Sequence, residues 1–392
     1  YDTASIAGID LYSSLDAALQ EYGELLMTNK KGSIVAIEPA TGEILCIVSS
    51  PSYDPNLLAG NIRKKNYAKL LADTVFVPLF NRALMAQYPP GSTFKLVDAL
   101  IGQQDGVLTP DTRYPCGGGF PLGNGKQVGC HPHPSPTDLA GSIQISCNSY
   151  YCRAFRAIID NRRYATTRQG YEHWRKSVMA FGLGKKLGID ISGELNGNIP
   201  TPEYYDKYHG KNRWKSMSII SLGIGQGEIG ITPVQLANLA ATIANRGWFI
   251  TPHIIRAIGQ PDSLNPSIGE KRYAGIDPGY YEIVVEGMAR VVTAGTATGA
   301  KHDSIVICGK TGTAQNPHGK NHSLFIAFAP RDNPKIAISV ICENAGYGST
   351  WAAPIASLMI EKYINDSVAR HDIEKRMIEG NLINGTYYRE ED

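Results

Sequence analysis

The chain has 392 residues, a formal net charge of +2, and 43% hydrophobic and 19% charged residues. This composition is typical of a globular protein that can bury a core around a water-shielded site. Lys and Arg are spread along the sequence, which argues against the basic stripe of a nucleic-acid-binding protein. No apolar run approaches the roughly 20 residues that cross a bilayer. The seven cysteines form no repeated framework and do not fix a redox compartment.

The first predicted elements are a helix and a hairpin. Apolar spacing predicts a helix over residues 15–27. Two strands are predicted at residues 33–37 and 43–48, joined by a turn at residues 38–42 that ends in glycine. The chain begins at Tyr1 without Met or a signal peptide, which fits either a cytosolic protein or a segment separated from a membrane anchor.

The rest of the chain divides into a helical middle and a late group of strands. Residues 53–246 favour helix with Pro and Gly interruptions, and the end of the chain favours one more helix at residues 353–364 before a charged, mobile tail. The late strands are predicted at residues 305–308, 323–329 and 335–341, and Gly and Pro at residues 309–319 and 330–334 are expected to interrupt them. We therefore predict one α/β (α+β) layered domain, with an antiparallel sheet formed by both ends of the chain and an inserted helical lobe. The strand–helix alternation of a parallel nucleotide-binding sheet is absent.

The first motif is Ser92-Thr93-Phe94-Lys95, which follows Pro89-Pro90-Gly91. The apolar spacing after it predicts a helix that begins near Ser92, and Ser92 and Lys95 would then lie one turn apart on the same face. Amide groups at a helix start carry partial positive charge, which suits a developing oxyanion. The alternative is a capping serine with an exposed lysine, since S-x-x-K occurs by chance about once or twice in a chain of this length.

The second motif is Ser146-Cys147-Asn148, after a predicted helix entered at Thr137-Asp138. S-x-N is also common by chance, and Ser263-Leu264-Asn265 is a second copy between prolines in a predicted surface loop. The pattern is therefore weak evidence by itself.

The third motif is Lys310-Thr311-Gly312-Thr313, at the end of the apolar run 305–308. A lysine at a strand edge usually serves only solubility. K-T-G-T is nevertheless expected by chance in only about one of a hundred chains. The order S-x-x-K, S-x-N, K-T-G is the signature of penicillin-binding proteins and related β-lactamases, so the combination is far more specific than its parts.

With these motifs in place, the chain resembles the transpeptidase domain of class B penicillin-binding proteins, and most closely the elongation type called penicillin-binding protein 2. The resemblance covers nearly the whole chain and is carried by residues 35–39, 41–45, 51–56, 81–83, 223–227 and 322–330. It implies a five-stranded antiparallel sheet flanked by helices, with a helical subdomain inserted at about residues 54–246.

The resemblance also implies the setting of the domain. Residues 1–14 would be a remnant of the junction to a pedestal domain, residues 15–366 the transpeptidase domain, and residues 367–392 a charged tail. A membrane helix absent from this sequence would anchor the domain on the periplasmic side of the cytoplasmic membrane. The expected partners are peptidoglycan stem peptides, a membrane glycosyltransferase of the elongation machinery, and β-lactams as covalent inhibitors; no nucleic acid is expected.

The implied chemistry is acyl transfer through a covalent intermediate on Ser92. Lys95 would be the base, Ser146 would relay protons, and Lys310 would help to keep Lys95 neutral. Asn148 would hold the substrate amide, while Thr311, Gly312 and Thr313 would bind the terminal carboxylate. The main-chain amides of Ser92 and Thr313 would form the oxyanion hole.

Two other patterns give no support to a different activity. Residues 225–230 match G-x-G-x-x-G, but no acidic residue occurs from 231 to 261, and Thr232-Pro233-Val234-Gln235 is typical of a helix start. Glu194 lies near the position of the deacylating glutamate of class A β-lactamases, yet the matching residue is Ser192. A transferase is therefore favoured over an enzyme that hydrolyses β-lactams, while a β-lactamase, a D,D-carboxypeptidase and a β-lactam sensor stay as alternatives.

The loop before the second motif contains Cys116, Cys130, His131 and His133. No cofactor is required by the implied reaction, but a structural zinc ion could hold this Gly- and Pro-rich loop together. The spacing is not that of a usual zinc finger. A Cys116–Cys130 disulfide and free thiols are alternatives that the sequence leaves open.

Overall fold

The computed structural model describes residues 7–263, 265, 268–317 and 319–383. The strands are β1 Leu11–Ser13, β2 Gly32–Ile37, β3 Ile44–Ser50, β4 Gly119–Gly123, β5 Lys126–Gly129, β6 Trp248–Phe249, β7 Ile255–Ile258, β8 Arg272–Tyr273, β9 Cys308–Ala314, β10 His322–Ala329 and β11 Ile336–Cys342. The α-helices are α1 Ala17–Leu26, α2 Arg63–Ala72, α3 Arg82–Met85, α4 Lys95–Gln104, α5 Leu139–Gln144, α6 Asn148–Ile159, α7 Thr167–Ala180, α8 Pro202–His209, α9 Pro233–Ala244, α10 Gly279–Ala294, α11 Ala352–Asn365 and α12 His371–Glu379. Short 3₁₀ turns occur at Pro55–Leu58, Gly60–Ile62, Gly91–Phe94, Ser216–Ile224 and Thr298–Ala300.

The main sheet has five antiparallel strands in the order β3-β2-β11-β10-β9. Its strands therefore come from both ends of the chain, and β9 is an edge strand. Helices α1 and α11 pack on the sheet and on each other, while α9 and α10 form a second packed pair. Since every residue of β11 is buried, the sheet is covered on both faces. This confirms the α/β layered fold with a five-stranded antiparallel sheet.

A helical lobe brings the second motif to the edge of the sheet. Helix α4 packs against α5, α6 and α7, and Trp174 of α7 makes edge-on ring contacts with Phe94 and Phe155. The Trp174 indole N–H donates to buried Asp98 of α4 at 2.7 Å. Burial raises the pKa of the Asp98 carboxyl well above its usual value. The lobe thus fixes α4, which begins beside Ser92, against α5 and α6, the helices on either side of Ser146.

The strands at the two ends of the chain lie close to where the sequence predicts them, with one shift that matters for the site. The strand predicted at residues 305–308 instead begins at Cys308 and runs to Ala314. The K-T-G motif therefore lies inside β9 and not after it. The glycines suggested a break, but Gly309 and Gly312 are needed for packing: a Cβ at Gly309 would lie 2.2 Å from the Phe325 ring.

The sequence predicts a helical insertion at residues 54–246 and a mobile tail after residue 366. The structure differs from this prediction in three segments. The region from 54 to 246 contains the β4–β5 hairpin, and its last helix, α9, packs on β2 and β11 of the sheet. At the end of the chain α12 forms a helix that buries Met377, although the tail after residue 366 is expected to be mobile. Residues 384–392 of that tail lie outside the described residues.

The proposed pedestal remnant at residues 1–14 is described only from residue 7 onward. There β1 pairs with β7 in an antiparallel ribbon apart from the main sheet. Among the described residues no helix is long and apolar enough to cross a membrane.

Candidate active site

Ser92 lies on the 3₁₀ turn Gly91–Phe94, and the α-helix α4 begins only at Lys95. The turn is held tightly between two other segments. Gly91 has a φ of 54°, and a Cβ on it would lie 2.6 Å from the carbonyl oxygen of Thr313 in β9. Gly225 has a φ of 68°, and a Cβ there would lie 2.2 Å from the Gly91 carbonyl oxygen. Only glycine fits both places, because the three backbones are in contact.

The Lys95 amine is fully buried and contacts the second motif. Its Nζ donates to the Ser146 carbonyl at 2.7 Å, the Ser146 hydroxyl at 3.2 Å and the Asn148 side-chain carbonyl at 2.7 Å. No hydrogen bond joins the Ser92 hydroxyl to any residue that the structure describes. The expected meeting of Ser92 and Lys95 across one turn is therefore not a hydrogen bond here, because three acceptors of the second motif hold the amine.

The Ser146 hydroxyl connects the second and third motifs. Lys310 of β9 donates from Nζ to Ser146 Oγ at 2.8 Å and to the Thr311 carbonyl at 3.1 Å. Ser146 has a φ of 58°, which is uncommon for a residue other than glycine. An oxygen that accepts from two amines still has its own proton to donate, and that proton can point into the cleft.

Burial lowers the pKa of both lysines in this site. Desolvation lowers the pKa of Lys95 to about 8, and desolvation together with the charge of Lys95 lowers the pKa of Lys310 well below its usual value. Two ammonium groups that share one hydroxyl repel each other, so the site favours at least one neutral amine near neutral pH.

The cleft beside Ser92 has a volume of about 550 Å³. It is lined by residues of all three motifs and by several others: Ser92, His131, Ser146, Asn148, Ile224, Gln226, Thr296, Thr311, Thr313, Gln315, Asn321, Tyr347, Gly348 and Ser349. On the β9 side, Gly312 lets the backbone of Pro90 come close, because a Cβ there would lie 2.9 Å from the Pro90 carbonyl oxygen. The cleft is therefore large enough for a short extended peptide beside Ser92.

Two polar side chains of the cleft, those of Thr296 and Gln226, contact β9 and have no role in the sequence predictions. The Thr296 hydroxyl lies 2.7 Å from the Thr311 hydroxyl, and the Gln226 carboxamide donates to the Thr313 carbonyl at 2.8 Å. Both belong to Gly-rich loops, where a polar side chain normally only marks a turn. Only their tertiary contacts with β9 reveal them.

The cysteine-rich loop packs directly behind Asn148. The ligand atoms of Cys116, Cys130, His133 and Cys147 all lie within 4.8 Å of one another. His131 is not part of this group and instead lines the cleft. The proposed set of two cysteines and two histidines thus needs a correction, since Cys147 takes the place of His131. The sequence pattern does not include Cys147, because this residue lies within the S-x-N motif, beyond the loop.

The loop also fixes the position of Asn148. The Asn148 side-chain N–H donates to the Gly129 carbonyl at 2.7 Å, and the Asn148 main-chain N–H donates to Cys130 Sγ at 3.3 Å. With its carbonyl held by Lys95, the Asn148 side chain has little freedom to turn.

Comparison with known proteins shows the family. Residues 32–361 match the family described as the penicillin binding protein transpeptidase domain. The chain belongs to this family. The resemblance predicted from the three motifs is thereby confirmed.

Related transpeptidase proteins are found in several bacteria. The chain is 35% identical over 91% of its length to the peptidoglycan D,D-transpeptidase MrdA of Acinetobacter baumannii, of which it covers 54%. It is 34% identical over 92% of its length to MrdA of Haemophilus influenzae, of which it covers 57%. The chain therefore spans little more than half the length of these curated relatives.

Solved structures of this family have the same fold. Penicillin-binding protein 2 of Pseudomonas aeruginosa in complex with WCK 5153 superposes with a TM-score of 0.80 at 34% identity, over 93% of this chain and 79% of that one. Penicillin-binding protein A of Mycobacterium tuberculosis, as a ceftriaxone acyl-enzyme, superposes with a TM-score of 0.74 at 29% identity, over 91% of this chain and 80% of that one.

Proposed function

We propose that this transpeptidase domain is a serine D,D-transpeptidase that cross-links peptidoglycan stem peptides through an acyl-enzyme on Ser92. The proposal depends most on one observation: the Ser146 hydroxyl, beside the Ser92 turn, accepts hydrogen bonds from both Lys95 and Lys310. This arrangement supplies a buried amine of lowered pKa next to a serine whose hydroxyl has no partner among the described residues. The names of the MrdA relatives support the same activity.

In the first half-reaction Ser92 Oγ bonds to the carbonyl carbon of the penultimate D-alanine, and its proton passes to neutral Lys95. The main-chain N–H groups of Ser92 and Thr313 would hold the negative charge of the tetrahedral oxygen, and such a donor is typically worth about 3 kcal/mol. The C–N bond to the terminal D-alanine then breaks. Its nitrogen takes a proton through Ser146, which is hydrogen-bonded to both amines.

Recognition of the donor would come from β9 and Asn148. The Thr311 and Thr313 hydroxyls, beside Lys310 and with Gly312 permitting close approach, would bind the terminal carboxylate. The Asn148 amide would hold a main-chain amide of the donor.

In the second half-reaction an amine of a neighbouring stem attacks the Ser92 ester. A new amide bond forms, and Ser92 Oγ leaves with the proton of the amine.

A hydrolase would need a group that activates water. Glu194 does not supply it, because its carboxylate accepts hydrogen bonds from the main-chain N–H groups of Leu187 and Gly188 and fixes that loop. This observation places a transpeptidase first. A β-lactamase or β-lactam sensor of the same fold is the second candidate.

The cellular setting is proposed from relatives. A structural relative with a TM-score of 0.75 and 28% identity comes from a peptidoglycan synthase complex described as coordinating polymerization and crosslinking. This supports a glycosyltransferase as partner, and the MrdA relatives support the elongation type. A periplasmic position next to a membrane anchor is consistent with such partners. β-Lactams are proposed as covalent inhibitors, as in the acyl-enzymes of the Mycobacterium tuberculosis protein.

Treatment with benzylpenicillin should add one penicilloyl group per chain, and Ser92→Ala should abolish the adduct because the nucleophile is gone. Intact-mass spectrometry measures this directly. Ser263→Ala, in the decoy S-x-N copy, is the matched control and should label fully. An adduct that persists in Ser92→Ala would refute the assignment of the nucleophile.

Acylation of Ser92 should become faster with increasing pH. Only the neutral form of Lys95 accepts a proton, and its pKa is about 8. The second-order acylation rate constant should therefore rise about tenfold per pH unit well below pH 8 and level off above it. Stopped-flow acylation between pH 6 and 9 measures the profile. A rate that falls through this range would contradict the role of Lys95 as base.

We also propose that the cysteine-rich loop holds a structural zinc ion through Cys116, Cys130, His133 and Cys147. Three thiols and an imidazole are a usual tetrahedral donor set, and their spacing suits bonds of about 2.0–2.3 Å to one ion. The contact between Cys130 and Cys147 lowers the pKa of the Cys130 thiol and raises that of the Cys147 thiol, so the pair favours one thiolate, at Cys130. His133 Nδ1 lies 2.8 Å from the Pro134 carbonyl, which can orient the ring so that Nε2 faces the thiols.

Protein purified without a His-tag should contain about one zinc ion per chain by elemental analysis. Cys147→Ser and Cys116→Ser should lose the metal because each removes a ligand, whereas His131→Ala should keep it. A Cys116–Cys130 disulfide is the competing outcome. A zinc-free protein with a mass two hydrogens lower would support that disulfide and contradict the zinc proposal.

A further inference from the structure

The carbonyl of Thr313 belongs to the open edge of the sheet. Among the residues that the structure describes, strand β9 pairs in the main sheet with β10 alone, and Thr313 lies opposite Ser323. The Thr313 carbonyl accepts from the Gln226 side chain, so it points away from β10 and into the cleft. In an antiparallel ladder the N–H and C=O of one residue point to the same side, so the Thr313 N–H faces the cleft as well. Such an edge can take an additional peptide strand.

Gln226 reaches this carbonyl from the opposite wall of the cleft. It follows Gly225, whose left-handed backbone is packed on the Ser92 turn, and its main-chain N–H donates to the Ser221 carbonyl at 3.1 Å. Gly91 also donates from its main-chain N–H to the Gly225 carbonyl at 2.9 Å. The backbone of Gln226 is therefore fixed by the same contacts that fix the nucleophile, while its side chain is only half-buried and can move towards solvent.

The carboxamide occupies the acceptor that an acyl donor would need. A donor extended along β9 would offer a main-chain N–H to the Thr313 carbonyl. We propose that Gln226 is a specificity-determining residue: its carboxamide caps the Thr313 carbonyl in the free enzyme and must be displaced by acyl donors that carry an N–H at this position. The inference rests on the proposed acyl transfer at Ser92.

The exchange affects ligands unequally. A ligand whose N–H bonds to the Thr313 carbonyl must first break the hydrogen bond between Gln226 and that carbonyl. The cost of breaking this bond lowers the affinity for such ligands. A ligand without an N–H at this position leaves the cap in place and is not affected. Without the cap, ligands with the N–H should bind about two- to tenfold more tightly, which corresponds to one ordinary hydrogen bond.

Gln226→Met tests this, because methionine has a similar length but no donor. Benzylpenicillin carries an acylamido N–H on its ring, whereas a carbapenem has a hydroxyethyl group at the same place. Stopped-flow acylation over a range of concentrations separates the dissociation constant of the first complex from the acylation rate constant. We expect the dissociation constant of benzylpenicillin to fall about two- to tenfold. The dissociation constant of the carbapenem and the acylation rate constants of both ligands should stay unchanged.

Gln20→Met is the matched control. Gln20 is also half-buried and donates from its carboxamide to a strand carbonyl, that of Ile47 at 3.0 Å, but on helix α1 away from the cleft. The Gln20→Met substitution should leave the dissociation constants and acylation rate constants of both ligands unchanged. Gln226→Leu, which is uncharged and also lacks the donor, should repeat the shift seen with Gln226→Met.

Three outcomes would decide between the proposals. A fall in the dissociation constant of benzylpenicillin alone in both Gln226 variants supports the cap. An equal change for both ligands, or weaker binding of benzylpenicillin, overturns it while Ser92 acylation stands. If neither ligand acylates the unmodified protein, the proposed function fails instead.

Discussion

One hydroxyl between two buried amines is the contact on which the site depends. Ser146 Oγ accepts from Lys95 at 3.2 Å and from Lys310 at 2.8 Å, and these three residues come from different parts of the fold. Helix α4 supplies the first lysine, the turn between α5 and α6 supplies the serine, and β9 supplies the second lysine. The sheet and the helical lobe must therefore be docked correctly before any part of the site exists. That requirement explains the glycine contacts at Gly91 and Gly225, which leave no room for a side chain between the docked segments.

Burial of Lys95 and Lys310 costs free energy when the amines are charged, and for that reason it makes them easier to deprotonate. A charged lysine taken out of water is disfavoured, so the pKa of each amine falls, and the charge of Lys95 lowers the pKa of Lys310 further. Lys30 shows the same effect outside the cleft, since burial lowers its pKa to about 8. What distinguishes Lys95 is its surroundings: polar acceptors, a nearby serine and an open cleft. A lowered lysine pKa alone therefore does not identify the site, whereas the convergence of three motifs around Ser146 does.

Local sequence predicts the strands and motifs of this domain well, because apolar spacing and turn residues act over a few positions. Misplacements occur where tertiary contacts decide. Gly309 and Gly312 suggested a break, yet they extend β9 because aromatic and backbone neighbours occupy the space of their missing side chains. Cys147 joins the cysteine-rich loop from a distant turn, and Gln226 meets β9 only across the cleft. Such residues carry no periodic signal, since their partners are set by the docking of the lobe on the sheet.

The central claim is that Lys95 is a buried amine of lowered pKa, and NMR titration of protein with ¹³C-labelled lysine side chains tests it most directly. We expect a lysine signal with a midpoint near pH 8 that disappears in Lys95→Met. Lys30 should titrate in the same range, so Lys30→Met is needed to assign the second signal. If the signal lost in Lys95→Met instead titrates near the usual value of 10.5, burial does not lower the pKa of Lys95 and its role as the base is contradicted.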